Sequence, residues 1–398
     1  MAGGEGTRLR PLSLGSPKPM TPLLGRPVME HIINLLKVHG IDDICVTLFY
    51  KPQAVMDYFG GGDRLGVRLT YFIEDEPMGT AGSVKNCMDH IGAEDFLVIS
   101  GDCVCDLDLT ALMDFHRKRG AAATLGLYHH KTPLEYGLVL TDEEGRIERF
   151  VEKPAWGQVF TDQVNTGIYL LSPAAMDRVP RNTAWDFGKD LFPALLREGA
   201  PLYGLSLAGY WCDMGGCSAY LDCTCDALSG KVKLDMGLPR LKAGVWSAQP
   251  LPQGLNLVPP CWIGPGVRLG EGCLIGPHTV LDKGAVVGER SMVQRSILLE
   301  NAAAGDRTTL YGTILCRDAS ARRGAVLNEG VVLGENALAE EGAALLERVC
   351  LWPGQTAPAG CRLARSITSG SQKGVLRFGD SGAIRGVLGE DIGPEALL

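Results

Sequence analysis

The sequence predicts two joined architectures: a Rossmann-like α/β domain with a mostly parallel sheet, then a left-handed parallel β-helix of hexapeptide repeats. Three observations carry this. Between residues 28 and 228, short apolar runs alternate with amphipathic stretches. From Val245 onward, apolar residues recur at every sixth position. Glycine follows several of them directly, at Gly264, Gly270, Gly276 and Gly288.

The α/β part rests on strand-like runs at Ile44–Phe49, Phe96–Ile99, Thr124–Tyr128 and Ile168–Leu171. Helical stretches at 28–39 and 108–119 lie between them. Such alternation points to a sheet covered by helices on both faces. Ligands on sheets of this kind sit at the carboxyl ends of the strands.

The second part rests on Val245, Leu251, Leu257, Ile263, Leu269, Ile275, Leu281, Val287, Val293 and Leu299. A second run, shifted in phase, has Val326, Val332, Leu338 and Ala344. A period of six fits neither an α-helix nor an alternating strand. It fits a coil whose every repeat supplies one short strand and one turn, with the apolar residue inward. Chance spacing in a loop-rich β-domain is the weaker alternative. The expected boundaries are 1–228 for the α/β domain, 229–242 for a linker, 243–357 for the β-helix and 358–398 for a tail.

Composition narrows the partners. The 398 residues are 45% apolar, enough for a sizeable core, and carry 46 acidic against 38 basic residues. A net charge of -8 argues against nucleic acid as the main partner. No apolar run is long enough to cross a membrane, and no leader-like stretch opens the chain. Thirteen cysteines without a disulfide framework read as reduced thiols of a cytoplasmic protein.

The first thirty residues depart from the acidic whole. Arg8, Arg10, Lys18 and Arg26 face only Glu5 and Glu30. Within them, Gly3-Gly4-Glu5-Gly6-Thr7-Arg8 is a glycine loop carrying a cation, and Pro17-Lys18-Pro19 holds a second cation on a stiff segment. Glycines let backbone N–H groups turn toward phosphate oxygens, and arginine adds a forked donor that stays charged. A glycine loop alone is as easily an ordinary turn; the combination is far more specific.

These motifs resemble the nucleoside-diphosphate-sugar pyrophosphorylase (sugar-phosphate nucleotidyltransferase) family over roughly residues 1–228. The resemblance implies that Arg8 and Lys18 are catalytic and bind the triphosphate. It implies nucleotide contacts from Ala2, Gly3, Gly4, Gly6 and Thr7, and from Glu76, Gly79, Thr80, Ala81 and Gly82 in a base-recognition loop. Sugar-phosphate binding falls to Gly137 in Glu135-Tyr136-Gly137, Glu152 and Lys153 in Glu152-Lys153-Pro154, and Asn165 and Thr166 in Asn165-Thr166-Gly167. Asp186-Phe187-Gly188-Lys189-Asp190 matches the acceptor-side segment. Asp102, in Ser100-Gly101-Asp102, and Asp213, in Trp211-Cys212-Asp213, match the family's magnesium ligands. Taken singly, Asp102 reads equally well as a helix cap, Asp213 as a turn acid and Lys153 as a solvated charge.

The likeness is greatest to mannose-1-phosphate guanylyltransferases fused to a phosphohexomutase. Arg149–Gly157 and Gly209–Asp213 support the first half, and Phe378–Gly386 resembles the opening of the mutase, of which only a stub is present. The implied reaction forms GDP-mannose from GTP and mannose 1-phosphate, with Mg²⁺. ADP-glucose or dTDP-glucose synthesis is the next reading. Relatives carry a short apolar strand directly before the glycine loop; Met1 stands where that strand finishes, so either the sequence starts at an internal Met or the first strand is missing.

Rival functions are weaker. A non-catalytic regulatory relative would lose the charged set, which is intact here. A hexapeptide acyltransferase would need His278, the only histidine after His130, as its base. Cys103 and Cys105, with Cys212, Cys217, Cys223 and Cys225, lack the usual zinc spacings and read as packed thiols. The β-helix is expected to serve assembly into a homo-oligomer.

Overall fold

The computed structural model describes residues 1–252 and 254–368, with the backbone of 377–378 and 384–385. The mutase-like stretch, apart from those four positions, lies outside the described residues. The chain divides into two units: Met1–Leu9 with Ser16–Asp235, and Arg10–Gly15 with Met236–Leu398.

In the first unit, helix α1 (Val28–Val38) buries Val28, Met29, Ile32, Ile33 and Leu36. Their spacing by three and four makes one apolar stripe. Strand β1 (Asp43–Leu48) follows and pairs in parallel with β2 (Arg68–Ile73). Helix α2 (Gly79–Lys85) leads to β3 (Phe96–Ile99) and β4 (Cys103–Cys105). Asp108 caps helix α3 (Leu109–Arg119), accepting the Ala111 N–H at 3.0 Å, and Gly120 ends it at φ 56°. Five strands complete the unit: β5 (Ala123–His129), β6 (Gly137–Thr141), β7 (Ile147–Glu152), β8 (Gln163–Leu171) and β9 (Leu202–Ser206). A last short strand, β10 (Trp211–Asp213), pairs antiparallel with β4.

The sheet refines the parallel expectation. β9 runs parallel to β5, while β8 runs antiparallel to both β3 and β5. Strands β3, β5 and β9 therefore share one direction and β8 opposes them. Strand β6 lies between β8 and β7 in the sheet and runs antiparallel to both. The pair β1–β2 is hydrogen-bonded to no other strand among the described residues. Met1 and Ala2 lie between it and β3: the Ala2 N–H donates to Thr47 O at 3.0 Å, and the Met1 ammonium donates to Ile99 O at 2.9 Å.

The second unit is a parallel β-helix. Three ladders of short strands stack along it, linking residues 17 or 18 apart, as in Ile263↔Leu281 and Leu281↔Leu298. The inward column runs Ile263, Ile275, Leu281, Val287, Val293, Leu298, Ala304, Leu310, Leu315 and on to Ala357, all buried. This corrects five expected positions. The step after Val293 is five, so Leu298 rather than Leu299 continues the column. In the later run Leu327, Leu333, Ala339 and Leu345 point inward, one residue after Val326, Val332, Leu338 and Ala344. A residue lost from a turn shifts every later side chain by one, so a rigid period of six drifts out of phase. The corners take positive φ at positions such as Gly272, Gly284, Asn301, Gly312 and Asn336, where glycine and asparagine fit best. His278 occupies one such corner at φ 55°. The last strand is Arg362–Leu363, beyond the boundary expected at 357.

Candidate active site

Lys18 is the centre of the site. It opens a short turn, Lys18–Met20, flanked by Pro17 and Pro19, which fix the backbone on both sides. Its side chain is only 10% exposed. The ammonium lies 2.6 Å from Asp102 Oδ2 and donates to Asp213 Oδ1 at 2.9 Å.

The two carboxylates meet through β4 and β10. Their antiparallel register sets Asp213 opposite Cys103, so Asp102, one residue earlier, is its neighbour. Burial disfavours the Lys18 ammonium, but Asp102 and then Asp213 outweigh it and hold the pKa above the ordinary lysine value. Lysine therefore stays charged between two oxygen ligands.

Arg8 approaches the same cluster. Its guanidinium lies 3.0 Å from Glu135 Oε2 and 3.9 Å from Asp213 Oδ2, and its side chain is 61% exposed. Gly215 leaves room for this approach: a Cβ there would sit 3.2 Å from Asp213 Oδ2 and 3.3 Å from Arg8 Nη1. In the glycine loop, Gly3, Gly4, Gly6 and Thr7 are at least partly exposed, whereas Ala2 is buried and its N–H is committed to Thr47 O.

The expected base loop is pinned by its own glycines. A Cβ on Gly79, at φ 68°, would lie 2.5 Å from Trp185 O, and one on Gly82 would lie 2.6 Å from Thr183 O. The N–H groups of Ala81 and Gly82 both donate to Trp185 O. Thr80 Oγ1 donates to Asp186 Oδ2 at 2.9 Å and accepts the Phe187 N–H at 2.9 Å. These groups fasten the loop to the 183–187 segment, leaving Glu76 and Pro77 exposed.

Glu152 ends β7 opposite Gly137. A Cβ on either Gly137 or Gly188 would come within 2.7 Å of Glu152 Oε2, so the two glycines make its cradle. Burial, then the nearby Asp186 charge, raises the Glu152 pKa above the usual glutamate value, against the pull of Lys153 and Lys189. Lys153 is exposed and holds a left-handed φ of 45°, rare for a side chain other than glycine or asparagine.

A bulge in β8 between Asn165 and Tyr169 re-aims the Asn165-Thr166-Gly167 stretch. Asn165 donates to the Tyr169 hydroxyl at 3.0 Å and accepts the Gly167 N–H. Thr166 is buried and its hydroxyl donates to Gly126 O at 2.7 Å, so its side chain serves the sheet. The Trp211 indole donates to Thr166 O.

The structure thus gathers Arg8, Lys18, Asp102 and Asp213 in one cluster, and Gly137 and Glu152 in another beside Asp186. Glu135 and Asp186 lie within the matched motifs without an expected role of their own. Glu135 pairs with Arg8, and Asp186 ties Thr80 to the N–H groups of Gly188 and Lys189. An acid beside a matched glycine was the available signal in both.

A family model described as "Nucleotidyl transferase" matches residues 1–230, and one described as "GMPPB C-terminal domain" matches 257–363. A UTP–glucose-1-phosphate uridylyltransferase of Synechocystis is 37% identical over 58% of this chain and 63% of its own. A mannose-1-phosphate guanylyltransferase of Mycobacterium tuberculosis is 37% identical over 58% of this chain and 64% of its own. The chain therefore matches less than two thirds of the length of those two relatives. A mannose-1-phosphate guanyltransferase of Aspergillus oryzae is 35% identical over 82% of this chain and 88% of its own. Among solved structures, a putative glucose-1-phosphate thymidylyltransferase from Bacillus anthracis shares the fold, with a TM-score of 0.53 and 24% identity over 59% of this chain and 95% of that one.

Proposed function

The chain belongs to the nucleotidyl transferase family, and we propose that it makes a nucleotide sugar, GDP-mannose, from GTP and mannose 1-phosphate. The observation that carries this is the Lys18 ammonium held between Asp102 and Asp213 beside Arg8. The relatives that match most of the chain's length supply the choice of base and sugar.

An oxygen of the sugar phosphate attacks the α-phosphorus of the triphosphate. A new phosphorus–oxygen bond forms as the bond to the β-phosphate oxygen breaks, and pyrophosphate leaves. No proton needs to move. The barrier is mutual repulsion of two anions, so catalysis is positioning and charge stabilisation. Lys18 and Arg8 offset triphosphate charge. Arg8 exchanges Glu135 for a phosphate, and its exposure makes that exchange cheap. Lys153 holds the sugar phosphate, and Glu152 accepts hydrogen bonds from sugar hydroxyls, which requires its charged form.

Two carboxylates already converging on a cation suit a hard divalent ion such as Mg²⁺. When bound by Asp102 and Asp213, it supplies further charge neutralisation at the phosphate oxygens. With the ion on those carboxylates, Lys18 would be free to contact the triphosphate.

The test is pyrophosphate release from four nucleoside triphosphates, each with mannose, glucose and galactose 1-phosphates, with and without Mg²⁺. GTP with mannose 1-phosphate should be turned over fastest. Faster turnover of another pair would replace GDP-mannose, and no turnover of any pair would remove the enzymatic reading.

The same reading places the protein in the cytoplasm, where its thirteen free cysteines stay reduced. No helix among the described residues is long and apolar enough to cross a membrane. It also makes the β-helix the seat of self-association. One of its ladders presents Leu274, Met292, Thr309, Val326 and Ala344 side by side, each one residue before an inward position. Sedimentation should show a homo-oligomer that Val326→Glu dissociates.

A further inference from the structure

Cys212 and Cys223 meet across the seam between strand β10 and the helix that follows it, α4 (Cys217–Leu228). On an extended strand, residues two apart share a face. The pairing with the β4 side continues to Tyr210, whose carbonyl accepts the Asp106 N–H at 3.1 Å. Tyr210 and Cys212 therefore point one way, and Trp211 and Asp213 the other. On α4, Cys223 and Asp226 are three apart and share a face. The Tyr210 hydroxyl donates to Asp226 Oδ2 at 3.0 Å, which makes one rung between strand and helix. The next rung is Cys212 with Cys223. Their thiols are in hydrogen-bond contact with each other and with the Tyr210 hydroxyl.

The two thiols differ in access. Cys223 is fully buried, whereas Cys212 is partly exposed. Cys103 and Cys105, on β4, are likewise in contact, but both are buried. The Cys212–Cys223 pair thus joins one thiol that a small oxidant can reach to a second held behind it.

We propose that Cys212 and Cys223 form a redox-sensitive pair that hydrogen peroxide closes into a disulfide. The Cys212 sulfur attacks one peroxide oxygen, the O–O bond breaks, water leaves and Cys212 becomes a sulfenic acid. The Cys223 sulfur then attacks the Cys212 sulfur, the S–O bond breaks and a second water leaves. Two thiols are oxidised, one peroxide is reduced, and the thiol protons end in the two waters. Free thiols such as dithiothreitol reverse the bond by exchange, so the disulfide is transient.

The consequence falls on Asp213, the next residue. Its carboxylate meets the Lys18 ammonium at 2.9 Å, on the face opposite Cys212. Replacing a thiol–thiol contact by a covalent bond draws β10 toward α4 and Asp213 away from Lys18. The loss of turnover that follows rests on the reaction proposed above; the disulfide itself does not.

The full chain is reduced, freed of reductant, exposed to hydrogen peroxide, alkylated and digested without reduction. Mass spectrometry should find the peptides holding Cys212 and Cys223 joined, and dithiothreitol should separate them. In Cys223→Ala, dimedone should trap a sulfenic acid at Cys212. In Cys212→Ala, Cys223 should stay unmodified. Absence of the joined peptide or of the dimedone adduct, or oxidation of Cys223 in Cys212→Ala as fast as in the parent, would overturn the proposal. Pyrophosphate release by the parent should fall about tenfold or more on oxidation and return with dithiothreitol. Cys212→Ala should keep its rate through the peroxide treatment. A joined peptide with unchanged turnover, or equal loss in Cys212→Ala, would overturn the switch. If the reduced parent releases no pyrophosphate, the proposed reaction fails and the peptide map still decides the disulfide.

Discussion

Lys18 places its ammonium 2.6 Å from Asp102 Oδ2, with Asp213 Oδ1 at 2.9 Å on the other side. The lysine sits where two carboxylates converge, the position proposed above for Mg²⁺. Its ammonium offsets the repulsion between the two anions, with Arg8 adding to it at Asp213. The resting site is therefore held together by a group that the proposed reaction must redirect.

Lys18→Met removes that cation. The two carboxylates are about one-quarter exposed, so water screens part of the loss; the expected destabilisation is about 1–3 kcal/mol. Turnover should fall by about a hundredfold or more. Mg²⁺ should raise the melting temperature of the variant more than that of the parent, because the ion now meets carboxylates without a competitor. Equal Mg²⁺ shifts in both proteins would remove the idea that Lys18 and the ion share one place.

Asp213→Asn keeps shape and hydrogen-bonding capacity while removing a charge. Pyrophosphate release should drop about a hundredfold, and the Mg²⁺ concentration for half-maximal rate should rise at least tenfold. A normal Mg²⁺ requirement would return Asp213 to the role of turn acid.

Glu152 gives a pH signature. Its folded-state pKa is raised, by burial first and by Asp186 second, above the ordinary glutamate value of 4.5. The charged form is lost as pH falls through that raised value. The KM for sugar phosphate should therefore climb on the acid side at a pH above 4.5, and Glu152→Gln should abolish the pH dependence while raising KM throughout. For stability the sign is opposite: the contribution of protonated Glu152 is full below 4.5 and is lost as pH rises through the folded value.

His31 gives a second pH signature, in folding alone. It is 7% exposed and hydrogen-bonded to Leu23 O at 3.0 Å. Burial lowers its pKa below 6.5; the Leu23 carbonyl opposes this and Arg26 adds to it. The stability it contributes is present above 6.5 and lost as pH falls below. Denaturant titrations should show His31→Gln losing less stability than the parent between pH 6.5 and 5.

Gly276→Ala tests the β-helix. At φ 91° a Cβ would collide with Val258 O and sit 2.5 Å from Cys261 Sγ. Both neighbours are fixed by the coil, so the cost should exceed about 3 kcal/mol. Circular dichroism melts of the parent and variant would measure it. A loss below 1 kcal/mol would mean that the coil relaxes easily there.

Particular residues show how far the sequence could be read. The run Phe96–Ile99 and the stripe of α1 were legible because apolar spacing alone specifies which face is buried. The charged cluster was legible because Arg8, Lys18, Asp102 and Asp213 each sit in a dense local motif. The inward column of the β-helix was legible only to Val293. Beyond it, turns of 17 rather than 18 residues moved the phase, and no local residue marks the change. Thr166 looked like a binding hydroxyl, yet it faces the core, because a bulge in β8 decides its direction. The pinning of Ala81 and Gly82 to Trp185 was equally hidden, since the partner lies a hundred residues away.

The sequence by itself determined the two architectures and most of the charged groups of the candidate site, since periodicity and local motifs are properties of neighbouring residues. Only the tertiary structure decided that Lys18 stands between Asp102 and Asp213, that two glycines cradle Glu152, and that the Thr166 hydroxyl turns to Gly126 O. These are contacts between segments far apart in the chain. They depend on strand register, which is settled only when the whole sheet is assembled.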